Sequence, residues 1–180
     1  MLLITIPAME AWDERTMEFI STEEIVLELE HSLSSMYKWE SKWNKPFLSK
    51  HEMTNSEVVD YVRCMTLTPN ISPEVYNFLT NDNFIQIDEY IKAPMTATTF
   101  SKDKSSKPNR EVITAEVIYY WMTSLGIPFE CQYWHLNQLL TLIRVSSIKN
   151  SPPQKRSARD IMRSNAALNA ARKKQLNTRG

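Results

Sequence analysis

The spacing of hydrophobic positions changes period near residue 32. Before it, Leu2 to Ile6 is rich in aliphatic and β-branched residues and alternates weakly, and Pro7 closes the run. Ala8 to Met17 reads as a polar connection, and Phe19 and Ile20 begin a second strand. Ile25 to His31 alternates with period two, with Ile25, Leu27 and Leu29 on one face and Val26, Glu28 and Glu30 on the other. That pattern predicts an antiparallel strand buried on one side. A sheet of two or three such strands is not stable alone in water, so it must lie on helices.

After Ser32 the period becomes helical. Met36, Trp39 and Trp43 share one face of a helix running to about Lys45, where Pro46 breaks it. Thr54 and Glu57 form a capping box for a helix to about Thr66, burying Val58, Tyr61, Val62 and Met65. Ser72-Pro73 opens a short helix with Val75, Tyr76, Phe78 and Leu79, and Asn81 or Asp82 caps the next, which stops before Pro94. The Thr-rich stretch Met95 to Phe100 is predicted to return to the sheet as a short strand. Residues 101–109 have loop composition and are the favoured internal site for proteolytic nicking.

The centre of the core is predicted between Glu111 and Lys149, as two apolar helices joined at a corner. The first spans Ala115 to Leu125 with Thr114 as N-cap, and Gly126 sits where φ > 0 is needed. Pro128 is expected at the first position of the second helix. Trp121 on the first helix and Leu136, Leu139, Leu140 and Ile143 on the second form the buried stripes. Asn150 to Pro153 is a hard stop. Ser157 and Asp160 form another capping box, and Ala158 to about Gln175 has strong helix propensity. Ile161, Met162 and Leu168 are its only large apolar groups before Leu176, too few for an ordinary buried face. The predicted fold class is α+β: a small N-terminal antiparallel sheet packed on a mostly helical domain (1–150), followed by a C-terminal basic helical arm (151–180).

Charge sharpens that division. Residues 1–150 carry 13 Lys/Arg against 20 Asp/Glu, a net of −7, and residues 151–180 carry 8 against 1, a net of +7. The chain has 42% hydrophobic residues and a mean hydropathy of −0.40, values of a water-facing protein with a core. No apolar run reaches the ~18 residues of a membrane span. Cys64 and Cys131 make no CxxC and no disulfide framework, and free thiols in a reducing cytoplasm are expected. Only Gly126 and Gly180 are glycines, which rules out Gly-rich phosphate loops.

The residues suggest no active site, no cofactor and no metal. His31, His51 and His135 are scattered, and His135 reads as a core or rim imidazole. Cys131 follows Glu130 near a helix start but has no evident base partner. The candidate partner-binding residues are Trp39 and Trp43, either core or an exposed aromatic anchor, and the arm's Arg159, Arg163, Arg172, Lys173 and Lys174. No aromatic residue interleaves with these cations and the body is acidic, so nucleic acid is disfavoured as partner. Docking on an acidic protein surface, such as a sister subunit, fits the charges.

Several segments together resemble a known group. SLSSMYKWESKWNKPFLS, YVRCMTL, PMTATTFS, EVITAEVIYYWMTSLGIPFECQYWHLNQLLTLIRV and RSNAALNAARKKQLNTRG are similar to small proteins from the tail gene clusters of long-tailed, siphovirus-type bacteriophages, the tail assembly chaperones. The resemblance spans nearly the whole chain. It implies a non-enzymatic, homo-oligomeric protein of the host bacterial cytoplasm, which binds the tape measure protein and helps the tail tube protein polymerise around it. The alternative within the same setting is a structural virion component, a head–tail connector or tail completion protein. The resemblance carries no catalytic residues.

Overall fold

The computed structural model describes residues 1–13, 18–50, 52–100, 112–151 and 158–176. The chain divides into two compact units, Met1–Ile148 and Lys149–Gly180.

The first unit begins with strands β1 (Leu2–Ile6), β2 (Met9–Asp13), β3 (Glu18–Thr22) and β4 (Ile25–Leu29). β1 pairs antiparallel with β4 and β2 with β3. The register carries straight through from Leu2↔Leu29 to Ile6↔Ile25 and on to Met9↔Thr22 and Asp13↔Glu18. The two ladders are thus one long hairpin interrupted at Pro7, which has no N–H to give. Part of the stretch expected as a polar connection, Ala8 to Met17, is strand β2, and pairing with β3 supplies the backbone partners that its weak pattern did not reveal. Along β4, Leu27 and Leu29 are fully buried while Val26 and Glu28 are exposed, as the period-two pattern predicts.

The other edge of β4 is covered by Thr66 to Thr68, not by Met95 to Phe100. Leu67 N–H donates to Glu28 C=O at 2.7 Å, Glu30 N–H to Met65 C=O at 2.9 Å, and Glu28 N–H to Thr68 Oγ1 at 2.8 Å. Met95 to Phe100 forms no strand, because Met95 takes φ 49° directly after Pro94 and turns the chain.

The helices of this unit are α1 (Leu33–Trp43), α2 (Asn55–Met65), α3 (Asn81–Lys92), α4 (Ala115–Ser124) and α5 (Leu136–Asn150), with 3-10 turns at Pro73–Phe78 and Phe129–Tyr133. Ser32 and Ser35 cap the start of α1 reciprocally, and Asn44 ends it in the left-handed region at φ 52°. Thr54 and Glu57 form the predicted box on α2. Thr80, rather than Asn81 or Asp82, caps α3, in a box with the Asn83 side chain. Gly126 has φ 66°, so a side chain there would be strained although nothing crowds the position. Pro128 precedes a 3-10 turn instead of opening a helix, and α5 starts only at Leu136.

The apolar side chains form two clusters. The first holds Ile4, Leu27 and Leu29 of the sheet, Trp39, and Tyr61, Val62 and Met65 of α2. The second holds Leu33 and Met36 with Ile118 and Met122 of α4 and Leu136 and Leu139 of α5. Helix α1 feeds both, and Phe47 packs against both. Leu140 and Trp121, expected in the core, are only half-buried at the edge of the second cluster.

The second unit contains α6 (Ala158–Leu176). Its side chains from Met162 to Leu176 are all exposed, as is Arg159. Residues 101–109 and the expected Ser157 cap lie outside the described residues.

Candidate binding groove and the polar chain beneath it

Helices α2 and α3, with the 3-10 turn between them, frame a surface groove of about 700 Å³. Its floor is Tyr61, Val62, Tyr76 and Ile87, all buried, and its walls include Val59 and Phe84. Asn55, Asn77, Asn81 and Asp88 form an exposed polar rim. Asp88 is paired with Lys92 at 2.5 Å. An apolar floor with a polar, uncharged or paired rim is the anatomy of a protein-binding patch. It offers no cluster of nucleophiles or acids to a small substrate.

Tyr61 links this floor to a buried polar chain. Its hydroxyl lies 2.5 Å from Nδ1 of His31, and the His31 ring meets that of His135 edge-on at 5.1 Å. The Ser32↔His135 bridge and Leu136 N–H donating to His31 C=O at 2.7 Å bring these distant histidines together. His135 Nε2 donates to Tyr90 C=O at 3.0 Å, which leaves Nδ1 to accept from Asn137 N–H at 3.3 Å. Tyr90 O–H donates to Glu30 Oε1 at 2.7 Å, and the Met1 amino group pairs with Glu30 Oε2 at 2.9 Å. Burial, helped by neighbouring His135, lowers His31 to about 3, and burial also lowers His135. Burial raises the phenols of Tyr61 and Tyr90. Two neutral imidazoles and two protonated phenols hold four elements in register; they are poised neither as acid nor as base near pH 7.

A second feature escaped the sequence. Thr114 makes no side-chain capping bond at the start of α4. The cap comes from Glu40 on α1: its Oε2 accepts from Ala115 N–H at 2.7 Å, and its Oε1 from Phe47 N–H at 2.7 Å. No local spacing could reveal a cap that lies 75 residues away. Glu57 on α2 is likewise buried, its carboxylate taken by Lys45 at 2.5 Å and by the Thr54 cap, and these bonds hold it down to about 2.

Of the residues singled out as partner-binding, Trp39 is fully buried, and its indole N–H donates to Glu57 C=O at 2.9 Å. It is a core side chain and cannot anchor a partner. Trp43 is half-buried, with its N–H on Asp60 Oδ2 at 3.0 Å and Lys42 and Lys45 at 5.8 and 5.9 Å from its ring. Arg159, Arg163, Arg172, Lys173 and Lys174 are exposed on α6, in the other unit. The α2–α3 groove had no sequence signal beyond its apolar residues, which read as core.

Cys64 and Cys131 are free thiols, Cys131 buried and Cys64 half-buried, and burial raises the Cys64 thiol. Among the described residues no group of three His, Cys, Asp or Glu side chains is placed to hold a metal ion, and no helix is long and apolar enough to cross a membrane. Comparisons with protein-family models, curated proteins and solved structures find no match to this chain.

Proposed function

We propose that the protein is a non-enzymatic tail assembly chaperone of a long-tailed bacteriophage, holding the tape measure protein in the host bacterial cytoplasm during tail morphogenesis. The sequence resemblance suggests the setting, and the α2–α3 groove is the observation that carries the reading. Its apolar floor and polar rim suit the apolar face of a client helix, read through anchors at i, i+3 and i+7. The occupant is a helical segment of the tape measure protein, whose length and exposed apolar faces call for a holder before tube subunits enclose it.

The test is co-expression with the tape measure protein of the same tail gene cluster. The expected result is a soluble complex that the full chain forms and a Val59→Glu variant does not, since Val59 is a half-buried wall residue. A variant that folds and still retains the client would overturn the groove reading. Mass spectrometry of purified virions separates the functions: a chaperone is absent, whereas a head–tail connector or tail completion protein is present at fixed copy number.

A further inference from the structure

A second pocket, of about 490 Å³, adjoins the α2–α3 groove and shares Asn55, Val59 and Asn77 with it. Lys42 and Trp43 of α1 and Asp60 and Arg63 of α2 also line it. Asp60 is the sole carboxylate among its described lining residues, and it is engaged inward. Its side chain is 9% exposed, accepts from the Trp43 indole N–H at 3.0 Å, and pairs with Lys42 and, at 3.5 Å, with Arg63. The cations reach outward: the Lys42 side chain is 57% exposed and that of Arg63 37%. Arg63 is held in place, with Nη2 donating to Pro73 C=O at 2.9 Å and the guanidinium 5.2 Å from the centre of the Tyr76 ring. Asn55 and Ser56 are the first two residues of α2, so the positive end of its helix dipole lies here too. This end of the groove therefore presents positive charge, in a body whose net charge is −7. On the other wall Asp88 is neutralised by Lys92.

We propose, building on the groove as a client-helix site, that it selects an acidic amphipathic helix, whose apolar face fills the floor while an Asp or Glu beyond the last apolar anchor pairs with Lys42 and Arg63. Arg63 follows Val59 by one turn of α2. A client seated against Val59 thus places the side chain one turn past its last anchor within reach of both cations. Asp or Glu there gains charge-assisted pairs, and Lys or Arg is repelled. The acidic body repels such a client elsewhere, so the cationic end sets its register in the groove. The same rule disfavours the basic segments of this chain as occupants. Residues 151–180 carry 8 Lys/Arg against 1 acid, and residues 101–110 carry 4 against 1.

Fluorescence anisotropy of labelled synthetic helices against the full chain tests it. Two peptides share one leucine stripe at i, i+3 and i+7 and carry either Glu or Lys at the two positions one turn beyond it. The Glu peptide binds about tenfold tighter than the Lys peptide, and the gap narrows as salt rises. Lys42→Glu, a change at an exposed side chain, cuts that preference to about twofold or reverses it, the signature of direct pairing. Val59→Glu abolishes binding of both peptides. Circular-dichroism melts identify a variant that fails to fold, and the comparison of the two peptides needs the parent chain alone. Equal binding of the two peptides, both lost in the Val59→Glu variant, would overturn the acidic selection and leave the groove as a helix site. So would a preference that survives Lys42→Glu in full. Binding of neither peptide would overturn the groove reading as well. A Glu peptide held equally by the Val59→Glu variant and the parent has bound the basic arm, which also overturns the proposal.

Discussion

Glu40 joins three parts of the chain that the sequence keeps apart, so its replacement measures how strongly the body depends on one carboxylate. It is 8% exposed, and its two oxygens accept from Phe47 N–H and Ala115 N–H, both at 2.7 Å. Ala115 is the first residue of α4, where the helix dipole favours a negative charge and Thr114 provides no cap of its own. Each buried, charge-assisted hydrogen bond is worth about 1.5–3 kcal/mol. Glu40→Ala removes both and leaves two backbone donors without acceptors, so the expected loss is about 3–5 kcal/mol, a large share of ordinary domain stability. Glu40→Gln keeps one carbonyl oxygen and turns its amide group toward the other donor, so about half that loss is expected. Urea unfolding reads both, with the slope unchanged and the midpoint falling in the order Glu, Gln, Ala. Hydrogen exchange at the Ala115 amide should accelerate in the Ala variant before the rest of α4. An Ala variant losing less than about 1 kcal/mol, or a Gln variant no better than Ala, would show that the carboxylate does not hold α4 in this way.

Acid should weaken the body through His31. Its folded value near 3 lies below the ordinary 6.5, so between these the unfolded chain binds a proton that the native one refuses. Stability is therefore full above about pH 6.5 and falls by about 2 kcal/mol by pH 5, and a flat urea midpoint across that window would contradict a neutral, buried imidazole. Leu139→Ala should cost about 2–5 kcal/mol and Leu140→Ala less than half as much, since Leu139 is fully buried and Leu140 is not; equal losses would misplace the second cluster's edge. Trp39→Ala should cost about 3–5 kcal/mol, and a loss below about 1 would argue against its place in the core. Truncation after Ser151 should leave the melting midpoint within about 2 °C of the full chain, and a larger drop would make the arm part of the body's fold.

The parts of the fold legible in the sequence are those set by neighbours along the chain. The alternation at Ile25–Leu29, the Thr54–Glu57 box, the left-handed Gly126 and the helical run after Pro153 each depend on a few consecutive residues, and each is found where the pattern puts it. The misreadings share one cause, tertiary supply of a local need. Thr114 looked like a cap, but the oxygen at Ala115 N–H comes from Glu40. Met95 to Phe100 looked like the strand returning to the sheet, but Thr66 to Thr68 already occupies the edge of β4. Trp39 is different: its spacing admits either core or an interface anchor, and its full burial with its N–H on Glu57 C=O makes it core. The groove was hidden for the converse reason: Val59, Phe84 and Ile87 recur at core spacing, and periodicity cannot tell a buried wall from an open one.

Because α1 supplies Trp39 to one cluster and Leu33 and Met36 to the other, the order in which the ribosome delivers the chain matters. The first cluster has all its parts once Ile91 has emerged, but the second waits for Ile143. At bacterial elongation rates that interval is roughly 3–10 s. Throughout it the nascent chain carries a finished sheet and a helix whose other face, Leu33 and Met36, is bare. His31 C=O meanwhile lacks the Leu136 N–H that will occupy it. Translational pausing or premature release between those two points would leave that bare face exposed to aggregation, so synonymous codons across residues 92–143 are expected to affect the yield of this protein.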